Sequence, residues 1–107
     1  DSIQSRMITK HIMINVLTTH HVLPFDKAKV VVKLFNPTGI GTWWLSSIDP
    51  TNELAYGVCE LHEKEYGPVS LKELRDLQLP FGLTVERDKW FPTNEYTLQD
   101  IMNGKGE

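Results

Sequence analysis

From Lys29 to Phe35 the chain reads Lys-Val-Val-Val-Lys-Leu-Phe, a β-branched and apolar run that predicts a strand. At period two, Val30, Val32 and Leu34 share one face and Val31, Lys33 and Phe35 the other. Asn36-Pro37-Thr38-Gly39-Ile40-Gly41 follows as a turn, since proline presets φ and the glycines admit positive φ. Thr42 to Ile48 is a second strand, Asp49-Pro50-Thr51-Asn52 a second turn, and Glu53 to Leu61 a third strand. Two short connections between successive strands imply an antiparallel meander. The third strand is uneven: Leu54, Tyr56 and Val58 are bulky, while Ala55, Gly57 and Cys59 are small. A closely packed helix over the small face would suit that pattern.

Elsewhere the apolar spacing changes from two to about 3.6. Ile8 to Leu17 reads as a short helix capped by Thr9, with Ile12 and Val16 four apart on one face. Thr18 to Asp26 and Glu63 to Pro68 read as loops. Ser70-Leu71-Lys72-Glu73 is a capping box opening a helix with Leu71, Leu74 and Leu77 on one face, ended by Pro80 and Gly82. Leu83 to Glu86 is expected as a fourth, edge strand, and Arg87 to Thr93 as irregular. Asn94 to Met102 is expected as a last helix with Leu98, Ile101 and Met102 inward. The expected architecture is α+β, a three- to four-stranded antiparallel meander packed against two or three short helices. Residues 1–6 read as an appended or upstream arm, 7–102 as a single domain, and 103–107 as a frayed tail.

Composition narrows the functional classes. A length of 107 residues suits one domain with a modest core. The net charge of −3 opposes the broad basic surface of nonspecific nucleic-acid binding. The lone cysteine, Cys59, can form no intrachain disulfide, which agrees with a cytoplasmic setting. No apolar run is long enough to span a bilayer, so no membrane association is expected.

Candidate chemistry is sparse. His20, His21 and His62 with Glu60 and Glu63 lack the helical ligand spacings of metal sites, so no metal and no cofactor are expected. Ser46, Ser47 and Ser70 lie in no nucleophile elbow, and Gly39-x-Gly41 lacks the lysine and hydroxyl that end a phosphate loop. Cys59, mid-strand on the small face, reads as a packed thiol. The densest polar cluster is Glu86-Arg87-Asp88, followed by Trp90. In an extended backbone Glu86 and Asp88 share a face and Arg87 opposes them. Such a cluster suits either a carboxylate site or a structural tie to the sheet. Consecutive Trp43 and Trp44 must point to opposite faces. One ring is expected in the core. The other is either exposed or covered by the segment carrying Trp90 and Phe91.

An ordered series of motifs runs through the chain: Val32-Lys33-Leu34-Phe35-Asn36-Pro37, Thr42-Trp43, Asp49-Pro50, Tyr56-Gly57, Ser70-Leu71-x-Glu73-Leu74 and Gly82-Leu83-x-Val85-Glu86-Arg87-Asp88. The series resembles the uncharacterised bacterial domain-of-unknown-function family 2958, whose members are carried on plasmids and other mobile elements. The tandem Trp43-Trp44 and the His20-His21 pair depart from it. The resemblance implies a setting and no mechanism. The function expected is that of a mobile-element accessory protein binding a protein partner, or a second copy of itself, around Trp43, Trp44, Glu86, Arg87, Asp88 and Trp90. A small hydrolase or transferase using Glu86 and Asp88, and a small-ligand pocket, are the alternatives. Ser70 is assigned to capping: Ser70→Ala should cost roughly 0.5–2 kcal/mol in chemical denaturation and leave any binding by the folded protein intact.

Overall fold

The computed structural model describes residues 24, 26–49 and 53–106. The expected helix over residues 8–17, His20, His21 and most of the second turn lie outside them. Among the described residues, the strands are β1 (Val32–Phe35), β2 (Thr42–Asp49), β3 (Leu54–Glu60), β4 (Lys64–Ser70) and β5 (Glu86–Arg87). Helix α1 (Leu71–Asp76) follows β4 directly, and α2 (Leu98–Met102) comes near the end. The strands form one five-stranded antiparallel sheet in the order β4-β3-β2-β1-β5. The α+β meander is therefore as expected, with more strands.

The difference in count comes from β4, which replaces the expected loop over residues 63–68. Gly67 and Pro68 read as turn signals, but proline removes only a donor. On an edge strand that donor can face away from the ladder. β4 is such an edge, pairing Tyr56 with Pro68 and Gly57 with Gly67. The strand expected at Leu83–Glu86 is displaced to Glu86–Arg87, where β1 supplies a partner. α1 stops at Asp76, and Leu77 becomes an exposed C-cap instead of a core residue. Its N-cap is the expected one: the Ser70 hydroxyl accepts from the Glu73 amide at 3.1 Å. α2 begins four residues later than expected, because Asn94 takes φ +62° and Thr97 with Asp100 forms a complete capping box.

Each face of the sheet carries a core. On one, Leu34, Trp43, Leu45, Ile48 and Ala55 pack with Leu71 and Leu74 of α1 and with Val85. On the other, Trp44 and Val58 pack with Ala28, Val30, Leu98 and Ile101, and with Phe91, Tyr96 and Met102 at the margin. The alternation expected of the first strand breaks at its start: Val31 joins Val32 in the first core, while Val30 enters the second. Val30 is bonded to the C-terminal segment instead of to β2, donating to Tyr96 at 2.7 Å and accepting from Asn94 at 2.9 Å.

A bulge in β2 places Leu45 and Ile48 on the same side. Leu45 pairs with Gly57 and Ser47 with Tyr56, leaving Ser46 as the extra residue. The bulge also explains Gly57. A Cβ there would collide with the Trp44 carbonyl oxygen and lie 2.9 Å from the Leu45 Cα. Covering by α1 accounts for Ala55, which touches its cluster, but Gly57 is small because the neighbouring backbone occupies its side-chain space.

Glu53 joins β3 to α1. Its carbonyl accepts from the Leu71 amide at 3.0 Å, and its carboxylate takes both Arg75 terminal nitrogens, at 2.5 and 3.0 Å. It does so from a left-handed backbone, φ +53°.

Two outcomes follow. Gly57→Ala should destabilise by roughly 1–3 kcal/mol or more, because backbone must move to admit the methyl group; a denaturation midpoint equal to wild type would contradict the packing described. The Arg75 hydrogen bond holds the Glu53 carboxyl below the usual glutamate range. A lowered folded pKa stabilises above the unfolded value and loses that contribution as pH falls through the folded one. Glu53→Gln should therefore cost about 0.5–1 kcal/mol near neutrality. The gap from wild type should close in acid, below the usual glutamate range, when denaturation is followed against pH.

Candidate functional site

β5 is the outer strand on the β1 side of the sheet, and its neighbours in sequence carry the charges singled out above. Leu34 pairs with Arg87 and Phe35 with Glu86. The ladder continues by one bond: the Asp88 amide donates to the Lys33 carbonyl at 2.9 Å. Residues opposite one another share a face, so Glu86 and Asp88 stand on the side of Phe35 and Lys33. Arg87 belongs to the Leu34 side, as the extended backbone requires.

Asp88 is a structural anchor. One carboxylate oxygen lies 3.7 Å from Lys33 Nζ and the other accepts from the Trp90 amide at 3.0 Å. The Lys33 ammonium in turn sits 5.8 Å from the Trp44 ring centroid and 5.7 Å from that of Phe91. This charge is thus held between a carboxylate and two aromatic faces. Asp88 ties its segment to the sheet, whereas Arg87, the other half of the expected structural tie, makes no such bond among the described residues.

The tryptophans divide differently from the exposed-ring alternative. Trp43 is 6% exposed and Trp44 2%, each in its own core. Neither is available to a partner. The C-terminal segment does cover Trp44, but with Phe91 and α2, while Trp90 is left 94% exposed. The aromatic surface belongs to the loop after β5 and not to β2.

Trp90 borders a groove of about 540 Å³ lined by Lys33, Phe35, Thr42, Glu86, Arg87, Asp88 and Lys89. The structure therefore brings together the expected Glu86, Arg87, Asp88 and Trp90 and adds Lys33, Phe35 and Thr42 from β1 and β2. Within it, Lys33 and Asp88 satisfy each other, whereas the Arg87 side chain makes neither a hydrogen bond nor an ion pair among the described residues. Its Nε is buried without an acceptor. A buried donor left unmade is costly, and Trp44 Nε1 and Thr84 Oγ1 share that state.

A second feature was not foreseen. Phe81 is 93% exposed and holds φ +63°, a left-handed backbone that bulky residues rarely adopt. It caps an apolar loop that also exposes Leu77 and Leu83, beside a cleft of about 700 Å³ running from Arg75 to Thr84. The signal was present in Pro80-Phe81-Gly82, an aromatic residue placed inside turn chemistry.

The remaining candidates stay apart from the groove. His62 is exposed in the β3–β4 connection near Cys59, Glu63 and Glu65. Burial, aided by the Glu65 carboxylate, pushes the Cys59 thiol above its ordinary value, away from a reactive thiolate. Among the described residues no three His, Cys, Asp or Glu side chains are grouped to hold a metal ion. No helix among them is long and apolar enough to cross a membrane.

Comparison with known proteins places this geometry in a family. The family model described as "Protein of unknown function (DUF2958)" matches residues 5–101. No curated protein and no solved structure matches the chain.

Proposed function

The chain belongs to the DUF2958 family of proteins of unknown function, and for this member we propose an accessory role on a mobile genetic element, exerted by binding a protein partner through the surface around Trp90. The observation that carries the reading is the Trp90 indole. It is 94% exposed, yet its backbone is pinned by the Asp88 carboxylate at 3.0 Å. A large ring presented on a fixed backbone loses little conformational freedom on binding, and tryptophan is the residue most enriched where interfaces concentrate their energy. The adjoining groove supplies a place for the partner's side chains. The mobile-element setting rests on the resemblance of the motif series alone.

The alternatives draw less support. A general base at Asp88 would need a free carboxylate oxygen, and both are engaged. A small-ligand site has the groove volume in its favour. Its most exposed wall, however, is a ring that a small ligand would leave largely in water. Nucleic acid meets Glu86 and Asp88 in the groove and a net charge of −3.

A photo-crosslinking residue at position 90, with position 62 as control, would be used in source cells to trap the partner. The partner would then be purified and the complex reconstituted. Trp90→Ala should weaken that complex by on the order of tenfold or more with an unchanged melting temperature. A reconstituted complex indifferent to Trp90→Ala would overturn the reading.

A further inference from the structure

We propose that the partner is bound as an extended segment added antiparallel to the outer edge of β5, with a basic residue opposite Glu86 and an acidic residue opposite Arg87. The proposal rests on the protein-binding reading above and specifies the chemistry of the partner.

β5 ends the sheet, and no strand lies beyond it among the described residues. In an antiparallel ladder, hydrogen-bonded and non-bonded pairs alternate. The Asp88 amide donates to Lys33, which marks Lys33–Asp88 as a bonded pair. Phe35–Glu86, two residues along, is then bonded as well, and the intervening Leu34–Arg87 is not. The Arg87 amide and carbonyl therefore point away from β1, where a partner backbone can meet them. The Arg87 side chain has no carboxylate partner among the described residues.

The charges choose the occupant. Two copies of β5 related by a two-fold axis keep their faces, so only same-face residues can oppose one another. A two-fold centred on Glu86 sets Glu86 against Glu86. Centred on Arg87, it sets Arg87 against Arg87 and Glu86 against Asp88. Centred on Asp88, it sets Asp88 against Asp88 and Arg87 against Lys89. Each register opposes like charges, which disfavours a second copy. A segment with a basic residue opposite Glu86 and an acidic residue opposite Arg87 avoids these clashes. Trp90, almost fully exposed on the rim of the same groove, provides an apolar contact for one end of such a segment.

Blocked peptides Thr-Val-Lys-Glu-Lys-Val-Thr and Thr-Val-Lys-Lys-Glu-Val-Thr carry the same charge and differ only in alternation. Titrated against the whole chain by calorimetry and amide chemical shifts, the first should bind on the order of tenfold more tightly and shift the amides of residues 85–89. N-methylation of its central glutamate should abolish binding, because it removes the amide that the Arg87 carbonyl would accept. The folded variant Glu86→Lys/Arg87→Glu should lose the preference. Equal affinities, indifference to N-methylation, or no binding at millimolar peptide would each overturn strand addition. Should that happen while the reconstituted partner still depends on Trp90, the protein-binding reading stands without it. Should the partner ignore Trp90, the reading itself falls.

Discussion

A strand cannot place neighbouring side chains on the same face, and in β2 the neighbours are Trp43 and Trp44. That constraint organises the molecule. Each indole is too large to leave in water cheaply, so each face of the sheet needs its own cover. α1 packs on the Trp43 side and α2 with the C-terminal segment on the Trp44 side. Both helices are short, α1 of six residues and α2 of five. Helices of this length have little stability of their own. They persist because a tryptophan-bearing sheet waits beneath each, and because Ser70 and Thr97 satisfy their first amides.

The same constraint produces the candidate site indirectly. Trp44 is roofed by Phe91, and Lys33 rests against both rings while reaching Asp88. The chain between Asp88 and Phe91 must then turn outward in a few residues, and Trp90 is carried out with it. The exposed indole is thus a by-product of where its neighbours are fixed. It lies on the rim of a groove whose floor is already neutralised by Lys33 and Asp88.

Much of the framework was legible in the sequence. The β-branched run of β1, the Asn36–Gly41 turn, the Ser70 cap and the opposed tryptophans all follow from local rules. In the structure, Asn36 Oδ1 accepts from the Thr38 amide at 2.8 Å, as such turn chemistry predicts. The misreadings have a common origin, which is tertiary context. Gly67-Pro68 reads as a loop until β3 offers an edge. Leu77 reads as core until α1 ends at Asp76. Arg87 reads as irregular until β1 pairs with it. At the site, the cluster Glu86-Arg87-Asp88 and Trp90 was visible. The burial of both strand tryptophans was legible only as one of two alternatives, since it depends on the C-terminal segment folding back through Val30. Lys33 gave no sign of its role, because a lysine in a strand ordinarily faces solvent.

The bulge at Ser46 also binds distant positions into one unit. Gly57 lacks a side chain because the extra residue in β2 pushes the Trp44 carbonyl into that space. Deleting Ser46 would remove the bulge and leave Ser47 against Tyr56 and Ile48 against Ala55, each on its present face. The insertion at 46 and the glycine at 57 can therefore be exchanged as a pair without altering the core positions at the end of β2. A chain of this fold with a side chain at position 57 should have a β2 one residue shorter, with the apolar and polar positions on either side of the gap unchanged.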